Sequence, residues 1–152
     1  MTHTDKRTRS KLDPDTVSDY HLDTQVGFLM RRANQRHLSM FSDAIPELTP
    51  TQFAALAKLC ELGGMSQNAL GRATAMDAAT IKGVVDRLRG KALVTSAPDP
   101  EDQRRVLLKP SPEGWALFDT LTPAAHTLTK DTLAPLNEAE QTIFLLLLNK
   151  LT

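Results

Sequence analysis

Cysteine is almost absent from this sequence of 152 residues, in which Cys60 stands alone. A single cysteine excludes a disulfide within one chain and favours a reducing compartment, so we expect a cytoplasmic protein. No run of about 18 apolar residues occurs, which argues against a membrane-spanning helix. The first residues, MTHTDKRTRSKLDPD, lack the apolar segment of a secretory signal.

The motifs of common enzyme classes are also missing. The sequence contains no phosphate-binding loop, no paired metal-ligand spacing and no G-x-S-x-G. Its four histidines are scattered, and His37 lies on an apolar stripe, where a hydrogen-bonded structural role is more usual than that of a base. We therefore predict that the protein is not an enzyme and needs no metal or cofactor.

The charged residues balance overall, with 18 basic and 18 acidic residues, which at first argues against a nucleic-acid partner. Their distribution is uneven, because residues 72–109 contain eight basic and five acidic residues, a local charge of +3. Residues 110–152 contain two basic and five acidic residues, or −3. Local charge decides whether a surface attracts phosphate, although a fluctuation of this size also arises by chance.

Apolar periodicity and N-capping residues predict six helices and one β-hairpin. The helices are expected at residues 19–42, 50–62, 67–73 and 77–91, in a long segment from Ser111 that Pro123 should bend, and in a last segment from Asn137. The hairpin strands are expected at residues 94–97 and 106–109, with Pro110 keeping the second one short because proline has no N–H to donate.

The last helix is apolar on every face between Ile143 and Leu148. Such a helix must be buried all round, and a terminal helix of a small chain seldom achieves this within one subunit. Burial against a second copy predicts a homodimer. The alternative is a central helix of a monomer.

Two short helices followed by a hairpin are the elements of a winged helix-turn-helix. We therefore predict a mainly α fold, a winged helix-turn-helix with a helical dimerisation region built from both chain ends. Residues 1–18 are expected to form a flexible tail, residues 19–48 and 111–152 the dimerisation region, and residues 49–110 the DNA-binding lobe.

The helix at 77–91 is the candidate DNA-reading element. Ile81, Val84, Val85 and Leu88 have the spacing of a buried face. On the remaining surface, the candidate DNA-binding residues of this helix are Ala79, Thr80, Lys82, Gly83 and Arg87. The two small residues would let the backbone approach a groove, and the cations would reach phosphate or guanine. An ordinary solvated helix face has the same periodicity.

The loop PDPEDQRR, between the two strands, favours DNA binding over that simpler interpretation. Arginine suits the narrow minor groove, where the negative potential is strongest, and a hairpin loop can place it there. Arg104 and Arg105 are therefore candidate DNA-binding residues. The neighbouring acids are expected to pair with basic side chains and fix the loop. Two further candidate DNA-binding residues, Ser66 and Gln67, lie at the start of the third helix.

Residues 77–114, DAATIKGVVDRLRGKALVTSAPDPEDQRRVLLKPSPEG, resemble the MarR family of bacterial transcription regulators. The family pattern V-D-R-L matches Val85–Leu88, and the wing pattern D-P-x-D-x-R matches Asp99–Arg104. The resemblance implies that Arg104 enters the minor groove and that Asp102 supports it. It also implies a homodimer on a pseudo-palindromic operator, acting as a repressor. One departure is Ala92, where the family commonly has glycine.

Many members of this family release DNA when a small aromatic acid binds between the dimer helices and the reading lobe. By that resemblance, the candidate effector-binding residues are Tyr20, His21, Phe28, Arg31, Phe53 and Trp115. Arg31 would receive the carboxylate. Core packing is the simpler role for Phe53 and Trp115, and a plain surface position is the simpler role for Arg31.

Two further functions remain open from the sequence. A thiol-based redox regulator would need a reactive cysteine, but Cys60 lies in an apolar helix, where thiols are usually inert. A protein-interaction module without DNA is the other alternative, which salt-sensitive DNA binding would exclude.

Overall fold

The computed structural model describes residues 20–152, so the predicted tail over 1–18 lies outside the described residues. The described residues belong to two compact units, which divide between Gln35 and Arg36. In the first unit a 3-10 helix, Leu22–Thr24, precedes α1 (Val26–Ala44). The prediction that this helix begins at residue 19 is wrong, because Gln25 is extended, with φ −79° and ψ 131°, and separates the two helical segments.

Three helices of the second unit follow, each with the cap that its sequence predicts. They are α2 (Pro50–Leu62), α3 (Gln67–Ala73) and α4 (Ala78–Gly90). Thr49 and Gln52 form a reciprocal capping box, with Pro50 in the first turn. Gly63 ends α2 with a φ of 80°, which glycine adopts without steric cost.

The hairpin consists of the antiparallel strands β1 (Val94–Pro98) and β2 (Val106–Pro110). The prediction that Pro110 shortens β2 is wrong, since Pro110 pairs with Val94. The N–H of Leu108 donates to Met65 on the side opposite β1. Because backbone direction alternates along a strand, the nitrogen of Pro110 also points away from β1, and no hydrogen bond of the hairpin is lost.

The two remaining helices are α5 (Pro112–Leu133), which continues through Pro123, and α6 (Glu138–Asn149). The guanidinium of Arg36, in the second half of α1, donates to the carbonyls of Asp131 and Thr132 at 3.1 and 2.8 Å. These carbonyls belong to the last turn of α5, where backbone acceptors lack helical partners. The Nδ1 atom of His37 lies 3.0 Å from the Thr132 hydroxyl, as expected of a hydrogen-bonded structural histidine.

The core of the second unit lies between α2, α3, α4 and the hairpin. The largest fully buried side chains are Ile45, Leu56, Leu59, Leu70, Ile81, Val85, Leu88 and Leu108. Burial of each such side chain stabilises the fold by about 1.5–3 kcal/mol before entropy is subtracted. This core fixes the positions of α4 and the hairpin. It therefore also fixes the directions in which the candidate DNA-binding side chains project.

Helix α6 has no buried residue within the single chain. Its side chains from Ile143 to Leu147 are between 42 and 58% exposed. Within the part of the chain that the structure describes, no helix is both long and apolar enough to cross a membrane.

Candidate nucleic-acid interface

The buried and exposed faces of α4 follow the sequence prediction. Ile81, Val84, Val85 and Leu88 are buried. Ala79, Thr80, Lys82 and Arg87 are exposed, and Gly83 is half-buried. A Cβ added to Gly83 would meet no atom within 4 Å, so nothing inside the chain requires glycine there. This face presents a small central surface with cations at its margin.

Asp77 fixes the N-terminus of α4. Its carboxylate accepts a hydrogen bond from the backbone N–H of Thr80 at 2.7 Å. This bond holds the pKa of Asp77 below its usual value, so the charged form of the cap persists through the neutral range. A pKa lowered by folding means that this contribution to stability is present at neutral pH and is lost as the pH falls through the folded-state pKa.

Asp86, which the sequence analysis did not assign to the site, binds two cations of α4. The Lys82 ammonium lies 2.8 Å from one carboxylate oxygen, and the Arg89 guanidinium lies 3.9 Å from the other. The hydrogen bond from Lys82 is the main reason that the pKa of Asp86 is lowered. The spacing of Lys82 and Asp86, four residues on a helix, is the signal that could have revealed this pair.

The wing loop is organised by two carboxylates. Asp99 accepts a hydrogen bond from the N–H of Glu101 at 2.9 Å. Asp102 accepts bonds from the backbone N–H and the Nε of Arg104, at 3.1 and 3.2 Å. Arg105 approaches the other Asp102 oxygen at 3.8 Å. Asp102 thus bonds both the backbone and the side chain of Arg104, and the Arg104 side chain remains 92% exposed.

The start of α3 carries the other two candidates, Ser66 and Gln67. The Ser66 hydroxyl accepts a hydrogen bond from the N–H of Ala69 at 3.2 Å and caps the helix. Both residues are half-buried. Ser66 can still donate its own hydroxyl hydrogen to an anion, since capping uses only an acceptor position.

The six candidate effector residues fall in both units. Tyr20, His21, Phe28 and Arg31 belong to the first unit, and Phe53 and Trp115 to the second. The Arg31 guanidinium lies 5.4 Å from the centre of the Phe28 ring, within cation–π range. Their assignment to one effector site stays a prediction.

The two aromatic candidates of the second unit differ in burial. The ring of Phe53 packs 5.9 Å from Phe41 and 6.2 Å from Phe118, centre to centre. These contacts give Phe53 a core role, whereas Trp115 is 43% exposed. Among residues 20–152, no group of three or more histidine, cysteine or acidic side chains could hold a metal ion.

Comparison with known proteins places the site in a family. The MarR family model matches residues 48–106. The transcriptional repressor NicR of Pseudomonas putida is 38% identical over 148 residues, which cover 96% of this chain and 94% of NicR.

Two solved structures agree in fold and sequence. A probable transcriptional regulator from Pseudomonas aeruginosa has a TM-score of 0.85 and 48% identity, over 87% of this chain and 100% of that one. BpsR of Bordetella bronchiseptica, whose DNA binding is regulated by 6-hydroxynicotinic acid, has a TM-score of 0.84 and 40% identity, over 88% and 97%. This chain therefore belongs to the MarR family and is a winged helix-turn-helix transcriptional regulator.

Proposed function

We propose that this regulator is a homodimeric repressor that binds a pseudo-palindromic operator and leaves it when a hydroxylated pyridine carboxylate or a related aromatic acid binds. The observation that carries this proposal is the pairing of two exposed elements in one lobe. Helix α4 presents Arg87 beside a small central surface, and the wing presents Arg104 on a loop held by Asp102.

In the proposed complex α4 enters the major groove. Ala79 and Gly83 allow close approach, Thr80 contacts a base edge or a thymine methyl, and Lys82 and Arg87 contact guanine or phosphate. Arg104 enters the minor groove, and Arg105, Ser66 and Gln67 contact the backbone. Phosphate contacts position the lobe and base contacts select the sequence.

The exposed apolar surface of α6 supports the dimer. Five consecutive side chains, Ile143 to Leu147, are each more than 40% exposed in the single chain. Contiguous apolar surface of this kind marks a protein interface, and a second copy of α6 offers a matching surface. A two-fold dimer would set two α4 helices about one DNA turn apart, or ~34 Å.

The effector proposal rests on the relatives and on Arg31. BpsR is regulated by 6-hydroxynicotinic acid, an aromatic carboxylate with a hydroxyl group. In this chain Arg31 supplies a cation beside the Phe28 ring, and a carboxylate can pair with the cation while its ring packs on the aromatic. We assign Tyr20 and His21, which belong to the same unit as Arg31, to the same site.

Release of DNA requires that the effector prefer the conformation that does not bind DNA. A preference of about 100-fold corresponds to about 2.7 kcal/mol of coupling, and operator DNA must weaken effector binding by the same factor. A redox mechanism receives no support from Cys60. Its thiol has a pKa raised to about 11, mainly by burial, and is therefore protonated and unreactive at neutral pH.

The test is a titration of 6-hydroxynicotinate against the free protein and the operator complex, by calorimetry and by fluorescence anisotropy of labelled DNA. We expect the ligand to bind and to weaken operator binding. Arg31→Ala should lose ligand binding and retain DNA binding, whereas Lys130→Ala, which removes an exposed cation from α5, should retain both. Binding of the ligand with no effect on DNA would contradict the mechanism.

The DNA part of the proposal is tested separately with Arg104→Ala. Loss of one contact in the phosphate-rich minor groove should lower the slope of log affinity against log salt by about 0.9. Footprinting of wild type should show a two-fold site with half-site centres about 10 base pairs apart. An unchanged slope would show that Arg104 does not contact the minor groove.

A further inference from the structure

A cleft of about 530 Å³ separates α3 from the wing. Its α3 wall contains Ser66, Asn68, Ala69 and Arg72, and its wing wall contains Asp99, Arg105, Val106 and Leu107. Ser66 and Arg105 already belong to the proposed DNA interface. Arg72, at the end of α3, has no role so far.

The side chain of Arg72 is exposed and uncommitted. Among residues 20–152, its guanidinium makes no hydrogen bond, ion pair or ring contact with the protein. The Lys82 and Arg104 side chains, by comparison, are engaged by carboxylates at 2.8 and 3.2 Å. A guanidinium carries five N–H donors in a planar fork that suits a phosphate group, so Arg72 is free to bind one.

The opposite wall supplies a second cation. Arg105 is 73% exposed and lies 3.8 Å from Asp102, at the outer limit of an ion pair. The carboxylate of Asp99 also lines the cleft, but it accepts the hydrogen bond from Glu101 that shapes the loop. Two guanidinium groups from separate elements therefore face one cleft that contains one engaged acid, and the balance favours an anion.

We propose that this cleft holds a phosphate of the operator backbone, with Arg72 and Arg105 as its two cations. The proposal rests on the DNA-binding function proposed above and adds Arg72 to the interface. The position of the cleft supports DNA over a free anion, since its walls are the first helix of the helix-turn-helix and the wing. Both walls belong to elements that must approach the duplex when α4 reads it.

The experiment measures the salt dependence of binding to operator and to unrelated duplex DNA from 50 to 200 mM salt. Arg72→Ala should lower the slope by about 0.9, so that this rise in salt weakens wild type about threefold more than the variant. The change should be equal on both DNAs, because phosphate contacts carry no sequence information. Adding Arg105→Ala should lower the slope by about 0.9 again.

Two variants separate a specific contact from a change in total charge. Lys130→Ala removes a positive charge from an exposed position on α5, outside the lobe, and should leave the slope unchanged. Arg72→Lys keeps the charge but loses the planar fork, so it should keep the slope and weaken binding. Thermal unfolding should be unaltered in the two Arg72 variants, since the Arg72 side chain makes no hydrogen bond, ion pair or ring contact within residues 20–152.

Other outcomes overturn the inference without touching the proposed function. If Arg72→Ala keeps the wild-type slope while Arg104→Ala lowers it, the lobe binds DNA and the cleft does not. If Arg72→Ala loses 6-hydroxynicotinate and keeps its slope, the cleft holds the effector. If wild type binds no DNA at any salt, the proposed function itself fails.

Discussion

At the residue scale, Gly83 has no structural reason to be glycine. A Cβ there would meet nothing within 4 Å, and glycine inside a helix is less stable than alanine by about 0.5–1 kcal/mol. Gly83→Ala should therefore stabilise the fold by about that amount and weaken operator binding, because the added methyl faces the groove. Chemical denaturation and DNA titration measure the two effects.

Gly90→Ala is the matched control for that prediction. Gly90 also lies in α4 with nothing within 4 Å of an added Cβ, but it is the last residue of the helix, about two turns beyond Gly83. The control should gain stability and keep its DNA affinity. If Gly83→Ala also keeps full affinity, close approach of the α4 backbone to DNA is refuted.

The buried position of Cys60 predicts that its thiol is unreactive toward oxidants and alkylating agents. Burial, and secondarily the charge of Asp119, raises the pKa of its thiol to about 11, so roughly one molecule in 10⁴ carries the reactive thiolate at pH 7. Treatment with iodoacetamide or dilute peroxide should leave DNA binding and the protein mass unchanged for hours. Rapid modification of the native protein, read by mass spectrometry, would reopen the redox function.

At the element scale, the ends of α3 and α4 share one geometry. After α4, the N–H groups of Ala92 and Leu93 donate to the carbonyls of Arg89 and Leu88, and Ala92 has a φ of 58°. This is a Schellman ending, whose left-handed position favours glycine. After α3, Ala75 adopts the same conformation, with a φ of 53°.

Ala92→Gly should therefore stabilise the protein. An L residue in the left-handed region costs about 1–2 kcal/mol, and the greater flexibility of unfolded glycine offsets part of the gain, which leaves about 0.5–1 kcal/mol. Ala116→Gly, at an exposed position inside α5, should instead destabilise by about 1 kcal/mol. If urea unfolding showed that both variants change the free energy of unfolding in the same direction, the conformational explanation would be ruled out.

The ion pair of Asp86 with Lys82 on α4 should weaken the affinity of the helix for DNA, because it engages a cation that could bind phosphate. Asp86→Asn should release Lys82 toward phosphate, raise affinity for any DNA and steepen the salt slope by about one unit. Glu61→Gln is the control, because it frees Lys58 from a similar 2.8 Å ion pair on α2. It should change neither the DNA affinity nor the salt slope. A loss of operator affinity confined to one base pair would mean that Asp86 reads a cytosine instead.

At the scale of the whole molecule, the exposed α6 surface predicts a dimer that one charge disrupts. Leu146, 58% exposed in the single chain, contributes little to the fold of that chain. Leu146→Glu should yield a folded monomer with weakened operator binding, because a buried unpaired carboxylate is costly. Asn149→Glu, the same charge at an exposed polar position of α6, should remain dimeric. Light scattering gives the mass, and a monomeric wild type would contradict the prediction.

Features that depend on near neighbours followed from the order of the residues alone. Each N-cap, from Thr49 to Asn137, accepts a hydrogen bond from a backbone N–H three residues away. The starts of these helices could therefore be predicted from the sequence. The buried stripe of α4 and the ion pairs of Asp102 also connect residues a few positions apart. The family followed from the same segment, because its motifs lie within residues 77–114.

Features that depend on packing between distant segments required the folded chain. The start of α1 moved to Val26 because Gln25 is extended. Pro110 stayed in β2 because its nitrogen points away from β1, toward the side on which Met65, distant in sequence, bonds Leu108. The cleft needs Arg72 of α3 and Arg105 of the wing together, and these residues are 33 positions apart in the sequence. Such contacts form only when a core has fixed two elements, since no local hydrogen bond or periodicity specifies them.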